Sequence, residues 1–213
     1  NLVAVMHEHG AQSFQNLHVE AARAIAAAAK KHGIERFVQV SALGAAVKGA
    51  RYARSKFAGE AVVREALPGA TIVRPSIVFG PEDDFFNRFA RMATAAPVLP
   101  LIGGGKTKFQ PIFVGDVAEA ICAALDRGDA RGRTYELGGP SVYSFKQLLQ
   151  FVTAEIARPR PLAPIPFVFA HPLGLLLGGM FKLIPFADPP LNGDQVTMLR
   201  RDNVVGADAS VGT

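Results

Sequence analysis

Three residues in this chain have types and spacing suited to moving a proton: Ser41, Tyr52 and Lys56. Tyr52 and Lys56 stand at i and i+4 within Gly49-Ala-Arg-Tyr-Ala-Arg-Ser-Lys-Phe-Ala-Gly-Glu60, so a helix there places both side chains on one face, one turn apart. A phenol with a pKa of about 10 is a poor acid–base catalyst at neutral pH. An ammonium group one turn away favours the phenolate and draws that pKa towards the working range. A serine hydroxyl at the end of the neighbouring strand can hold the carbonyl or hydroxyl whose proton moves. The competing structural reading is a half-buried tyrosine beside a solvated lysine that pairs with Glu60.

Chemistry of this kind needs a strand, a loop and a helix in fixed relation, and the surrounding sequence supplies them. Phe37-Val-Gln-Val-Ser41 reads as a buried strand ending in the hydroxyl residue. A Gly/Ala loop follows, then the helix carrying the pair, then a second strand, Ala70-Thr-Ile-Val-Arg-Pro75. Upstream, Asn1-Leu-Val-Ala-Val5 reads as the end of a strand, and Ser13 or Asn16 can cap a helix running through His32. The alanine-rich centre of that helix has high propensity and small side chains suited to packing on a sheet, and Gly33 ends it. Strands alternating with helices predict an α/β fold with a parallel sheet covered by helices.

Further along, Pro75 and Pro81 make Ser76-Ile-Val-Phe-Gly-Pro-Glu-Asp83 a loop at a strand's C-terminal end, the edge where open α/β sheets bind ligands. Phe85–Ala95 has the spacing of an amphipathic helix. Leu101-Ile-Gly-Gly-Gly-Lys-Thr107 superficially suggests a phosphate loop, but Pro100 stands where its first glycine belongs. A glycine turn before a strand at Phe109–Val114 accounts for it better. Asp116 is expected to cap a helix over Val117–Asp126, Arg133–Leu137 to form a strand, Gly138-Gly-Pro140 a turn, and Ser144 to cap a helix reaching Ile156. From Arg158 the composition shifts to prolines and bulky apolar residues. Ile165–Pro185 is the most hydrophobic stretch, but His171, Pro172 and Lys182 interrupt it and argue against a membrane-spanning helix. It is expected to pack on the body and leave an apolar side for a membrane or partner, with a short helix over Leu191–Leu199 beyond it.

With 213 residues, 49% hydrophobic and 19% charged, the chain can bury one sizeable core. The net charge of +5 is spread out and its basic residues are not interleaved with aromatics, which argues against nucleic acid and leaves room for an anionic cofactor, a membrane surface or an acidic partner. The lone Cys122, in an apolar helical context, reads as a core thiol and suits a reducing, cytoplasmic compartment. His7-x-His9 lacks an evident third ligand, so no metal site is expected.

Taken in order, Val40-Ser41, Tyr52-Ala-Arg-Ser-Lys56 with Gly59-Glu60, Arg74-Pro-Ser-Ile-Val-Phe-Gly-Pro81 and Phe113-Val-Gly-Asp-Val-Ala118 resemble the short-chain dehydrogenase/reductase superfamily, in its extended or atypical NAD-dependent epimerase/dehydratase branch. Val73–Phe89, Pro97–Thr107 and Asp194–Val205 further resemble the Rossmann-type accessory subunit of respiratory complex I and its alphaproteobacterial relatives. The resemblance implies an incomplete Rossmann-like domain over 1–140, with 77–108 as an inserted loop and helix, and a smaller, mainly helical substrate or docking region over 141–213. It implies NADP(H) or NAD(H) as cofactor. Tyr52 and Lys56 would hold the nicotinamide ribose, Pro75, Ser76, Ile77 and Val78 would lie beside the nicotinamide, and Asn1, Leu2, Val3 and Ala4 near the adenosine side. The glycine-rich turn that receives the pyrophosphate should precede Asn1.

Two functions follow from this resemblance. One is an accessory or assembly protein of NADH:ubiquinone oxidoreductase that binds the nucleotide without turnover, peripheral on the inner face of the bacterial cytoplasmic membrane or the mitochondrial matrix face, near the quinone region. The other is an active oxidoreductase or epimerase on a sugar nucleotide, sterol-like or quinone-precursor substrate, with Ser41, Tyr52 and Lys56 as its catalytic set.

Overall fold

Asn1 lies alongside the first strand, β1 (Val38–Val40), in the computed structural model, which describes residues 1–170, 172 and 193–206. The Asn1 amine donates to the Val38 carbonyl at 2.6 Å, and the Asn1 carbonyl accepts from the Val40 amide at 3.1 Å. The bonds follow a parallel pattern at Asn1 alone: residues 1–5, expected as the end of a strand, are not a strand here, and Leu2, Val3 and Ala4 are exposed. Ser13 Oγ accepts the Asn16 amide at 3.1 Å and opens the first helical stretch. Its beginning, Gln15–Glu20, is π-helical, and α1 (Ala21–Lys31) continues it as an ordinary α-helix.

The remaining elements are α2 (Arg51–Ala66), β2 (Thr71–Pro75), β3 (Val78–Phe79), α3 (Asp84–Ala95), β4 (Leu99–Ile102), β5 (Lys108–Phe109) and β6 (Ile112–Phe113). After them come α4 (Val114–Asp126), β7 (Thr134–Leu137), β8 (Tyr143–Ser144), α5 (Phe145–Glu155), β9 (Leu162–Ile165) and α6 (Gly193–Met198). The central sheet has the order β1-β2-β7 and is parallel throughout, with Val40 opposite Val73 and Val73 opposite Tyr135. Val40, Pro75 and Leu137 therefore end at one edge, and the loops that leave that edge carry the candidate chemistry.

Two cores hold these pieces. Val19, Ala22 and Ala26 pack with Val62, Val63, Ala70 and Ile72, so the alanine face of α1 lets helix and sheet approach closely. The second core gathers Leu101, Ile102, Phe109, Phe145, Leu149 and Val196, with Phe85 and Phe89 against it. It draws on residues from both sides of position 140, so α3, α5 and α6 share one apolar interior. Ser144 caps α5 as expected, in a capping box with Gln147.

Several sequence expectations are corrected. The strand expected over Phe109–Val114 is two strands: β5 pairs antiparallel with β8, and β6 pairs parallel with β3. Pro111 between them has no amide to donate, so no ladder runs through it. The helix expected from Val117 begins at Val114 and Phe113 is its extended cap, which places Asp116 inside the first turn. There its carboxylate still favours the positive end of the helix. Cys122 is exposed, being off the face of α4 that buries Val117. Gly103, Gly104 and Gly105 take φ of +60°, +68° and +68° in a tight turn between β4 and β5, conformations that glycine adopts freely. A strand rather than a helix follows, in keeping with the glycine-turn reading. Most of the apolar stretch Ile165–Pro185 lies outside the described residues. Among the described residues, no helix is long and apolar enough to cross a membrane.

Candidate functional site

Lys56 is buried, 4% exposed, and its Nζ donates to the carbonyl of Val40, the last residue of β1, at 2.9 Å. Ser41 follows directly and is 5% exposed. Its hydroxyl is the buried side-chain polar atom left without a hydrogen-bond partner among the described residues. Ser41 and Lys56 therefore meet at the C-terminal edge of β1. The solvated-lysine reading fails because Glu60 pairs elsewhere. Arg74 Nε and Nη2 donate to Glu60 Oε1 and Oε2 at 2.8 and 2.7 Å, and Arg74 Nη1 lies 3.9 Å from Glu136 Oε1. This buried two-pronged pair fixes α2 on β2, and so fixes Lys56 one turn earlier.

Tyr52 faces an aromatic group that sequence reasoning missed. Its ring lies edge-on to His18 at 5.5 Å and to Phe14 at 5.8 Å, while Phe14 and His18 stack at 5.2 Å. The buried His18 is held at both ring nitrogens: the Val5 amide donates to Nε2 at 3.1 Å, and Nδ1 lies 2.8 Å from Ser55 Oγ. Since Ser55 Oγ donates to the Tyr52 carbonyl at 2.8 Å, the proton on His18 belongs on Nδ1. Gly59 makes this packing possible, because a Cβ there would overlap the His18 carbonyl oxygen. The available signal was a glycine inside a helix that has no local need for one, together with Phe14 and His18 at i and i+4.

Burial sets the electrostatics. It pushes the Lys56 ammonium down to about 8, against the Glu60 carboxylate, which favours the charge. It pushes the Tyr52 phenol up to about 12. The expectation that Lys56 lowers the Tyr52 pKa is thus corrected: desolvation of the phenolate sets the shift, and the Lys56 ammonium is itself bonded to Val40. His18 is brought down to about 4, first by burial and then by the Lys56 charge, with the Val5 bond and Glu8 opposing. It is neutral at neutral pH, and both Tyr52 and Lys56 bear on it.

Asn1 lies beside β1, and its Nδ2 donates to Gln39 Oε1 at 2.9 Å. Leu2, Val3 and Ala4 are exposed as the chain runs from that edge to His18. The Pro75 carbonyl accepts the Leu43 amide at 2.9 Å, which ties the loops after β1 and β2 together. Ser76 turns towards the C-terminal segment, its Oγ lying 2.6 Å from Asn203 Oδ1 and 3.1 Å from the Asn203 carbonyl. Ile77 packs on the second core and Val78 is in β3. Asp194, also unforeseen, accepts the Arg51 and Tyr52 amides.

Residues 4–138 match the profile of the NAD dependent epimerase/dehydratase family. The chain belongs to that family. Within the epimerase/dehydratase family the fold is that of the dTDP-glucose 4,6-dehydratase of Bacillus anthracis, solved in complex with NAD, with a TM-score of 0.62 at 18% identity over 75% of this chain and 58% of that one. The curated relatives are nearer in sequence. The protein named NADH dehydrogenase [ubiquinone] 1 alpha subcomplex subunit 9, mitochondrial, is 40% identical in Arabidopsis thaliana and 37% in Rattus norvegicus, over 98% of this chain in both cases. The chain spans about half the length of these relatives, 54% of each.

Proposed function

We propose that this chain is part of an accessory or assembly subunit of NADH:ubiquinone oxidoreductase that holds NADP(H) or NAD(H) without turning it over. The observation that carries the reading is the course of the C-terminal segment. Asp194 and Asn203 engage the start of α2 and the loops after β1 and β2, so the segment is tied to the elements that carry Tyr52, Lys56 and Ser41. The match to the subunit 9 proteins runs through this same segment, which supports the complex I assignment. The Tyr52 phenol, pushed up to about 12, is a stable donor of a hydrogen bond and a reluctant donor of a proton.

The residues present fit a dinucleotide. The buried Ser41 hydroxyl, unpartnered among the described residues, suits a polar group of a ligand, and Lys56 and Tyr52 would hold the hydroxyls of a nicotinamide ribose. Bound there, the nicotinamide supplies hydride-transfer chemistry. Lys56 orients the ribose, Ser41 receives the ligand's polar group, and His18 keeps Tyr52 in place. The protein would sit peripherally, on the inner face of a bacterial cytoplasmic membrane or on the matrix face in mitochondria.

Ser41 also favours a second reading, an active NAD(P)-dependent oxidoreductase or epimerase, because an idle buried hydroxyl beside Lys56 is the arrangement a reacting carbonyl needs. Affinity capture of the full-length protein from solubilised membranes, with Tyr52→Phe alongside, separates the two. The accessory reading predicts co-purifying oxidoreductase subunits and unchanged quinone reductase activity in Tyr52→Phe. Capture without those subunits, with a metabolite missing in the Tyr52→Phe strain, would establish the enzyme instead.

A further inference from the structure

The N-terminus of α2 has no cap of its own. Ala50 occupies the cap position in an extended conformation and offers no side-chain acceptor. The first amides are satisfied instead from the far end of the chain: Asp194 Oδ1 accepts the Arg51 amide at 2.6 Å and Asp194 Oδ2 accepts the Tyr52 amide at 3.0 Å. Both carboxylate oxygens are spent on the helix that carries Tyr52 and Lys56, and one of the two amides is that of Tyr52 itself. The carboxylate also meets the positive end of the helix, where it is stabilising.

The same segment is attached at further points. Asn203 is bonded to Ser76 after β2, and its Nδ2 lies 3.4 Å from the Leu43 carbonyl after β1. The Gln110 amide donates to the Asn203 carbonyl at 3.0 Å, and the Asn203 amide donates to the Lys108 carbonyl at 2.8 Å. The Gly206 amide donates to Glu136 Oε2 at 3.1 Å, and Glu136 stands beside Arg74 in the buried pair that seats α2. Residues 193–206 thus reach the start of α2, which carries Tyr52 and Lys56, and the loops after β1 and β2.

We propose that Asp194 is a positioning residue for the dinucleotide site, so that nucleotide binding and the seating of residues 193–206 reinforce one another. A ligand held by Tyr52 and Lys56 favours the capped form of α2, and the capped form requires Asp194 in place. By reciprocity, whatever strengthens one strengthens the other by the same factor. The proposal rests on the dinucleotide reading above, and it adds that a nucleotide inside the site is sensed by the C-terminal segment 193–206.

The test uses the full-length protein with NADPH and NADH, titrated calorimetrically, and amide hydrogen exchange read by mass spectrometry. In the wild type, nucleotide should slow exchange across residues 193–206. Asp194→Ala should weaken nucleotide binding about tenfold, within the usual range of such couplings, and abolish that protection. Adding Ala50→Ser to Asp194→Ala restores a cap from within the helix. Affinity should then recover while residues 193–206 stay unresponsive, which a merely structural role for Asp194 would not produce. The proposal is overturned if nucleotide leaves exchange in 193–206 unchanged in the wild type, if Asp194→Ala binds and responds like the wild type, or if the added serine fails to restore affinity. Should Asp194→Ala not fold, the wild-type exchange experiment alone decides. A wild type that binds neither nucleotide refutes the underlying dinucleotide reading, an outcome distinct from binding without coupling.

Discussion

Replacing Lys56 with methionine should make the protein more stable at neutral pH. Lys56 is 4% exposed, its ammonium is brought down to about 8 by burial, and it donates to the Val40 carbonyl. In the unfolded chain it titrates at 10.5. The folded state therefore binds fewer protons than the unfolded state between those two values, and stability rises with pH across that window. Below about pH 8 the native protein carries the full cost of a buried charge, on the order of 3 kcal/mol for a shift of this size. Methionine fills the same channel without that cost and leaves the Val40 carbonyl short of one bond, which returns about 1 kcal/mol. Lys56→Met should thus gain roughly 2 kcal/mol at pH 7, and the gain should shrink by about 2.5 kcal/mol on going to pH 10. Urea denaturation of both proteins at the two pH values measures it. A variant that is less stable at pH 7, or a difference that does not change with pH, would refute the burial argument.

Other outcomes follow from the same geometry. Glu60→Ala removes the two-pronged partner of the Arg74 guanidinium and leaves it Glu136 at 3.9 Å, so it should cost about 2 to 3 kcal/mol in the same denaturation assay, below the cost of an unpaired buried charge, whereas truncating both partners should cost less than the sum. Gly59→Ala, with its Cβ driven into the His18 carbonyl, should cost about 1 to 3 kcal/mol and broaden the aromatic resonances of Tyr52 and Phe14. His18, brought down to about 4 from an ordinary 6.5, binds fewer protons folded than unfolded, so its contribution is present above about pH 6.5 and is lost as the pH falls through 4. His18→Gln should flatten that acid limb of the stability profile.

The parts legible from sequence were those written in local pattern. The strand leading to Ser41, the i, i+4 pair on α2, the helix over Phe85–Ala95 and the cap at Ser144 each depend on a few neighbouring residues, and each stands within a residue of where it was expected. The break at Pro111 was missed because an apolar run was allowed to outweigh a residue without an amide. Long-range pairing was out of reach. Nothing local says that β4 pairs with β9, that Glu60 prefers Arg74 to Lys56, or that Asp194 caps a helix whose first residue is Arg51. The Tyr52 pKa went the other way for a related reason: a charge one turn away can be read from spacing, but the burial that drives the shift is set by Phe14 and His18 from another helix.

The central claim is that Ser41, Tyr52 and Lys56 form the nicotinamide-ribose end of a dinucleotide site, and calorimetric titration of the full-length protein tests it most directly. Wild type and Lys56→Met are each titrated with NADPH and NADH. The account predicts one nucleotide bound per chain by the wild type and affinity at least about tenfold weaker in Lys56→Met, the loss of one charge-assisted hydrogen bond. Equal binding by the two proteins, or none by the wild type, would contradict it.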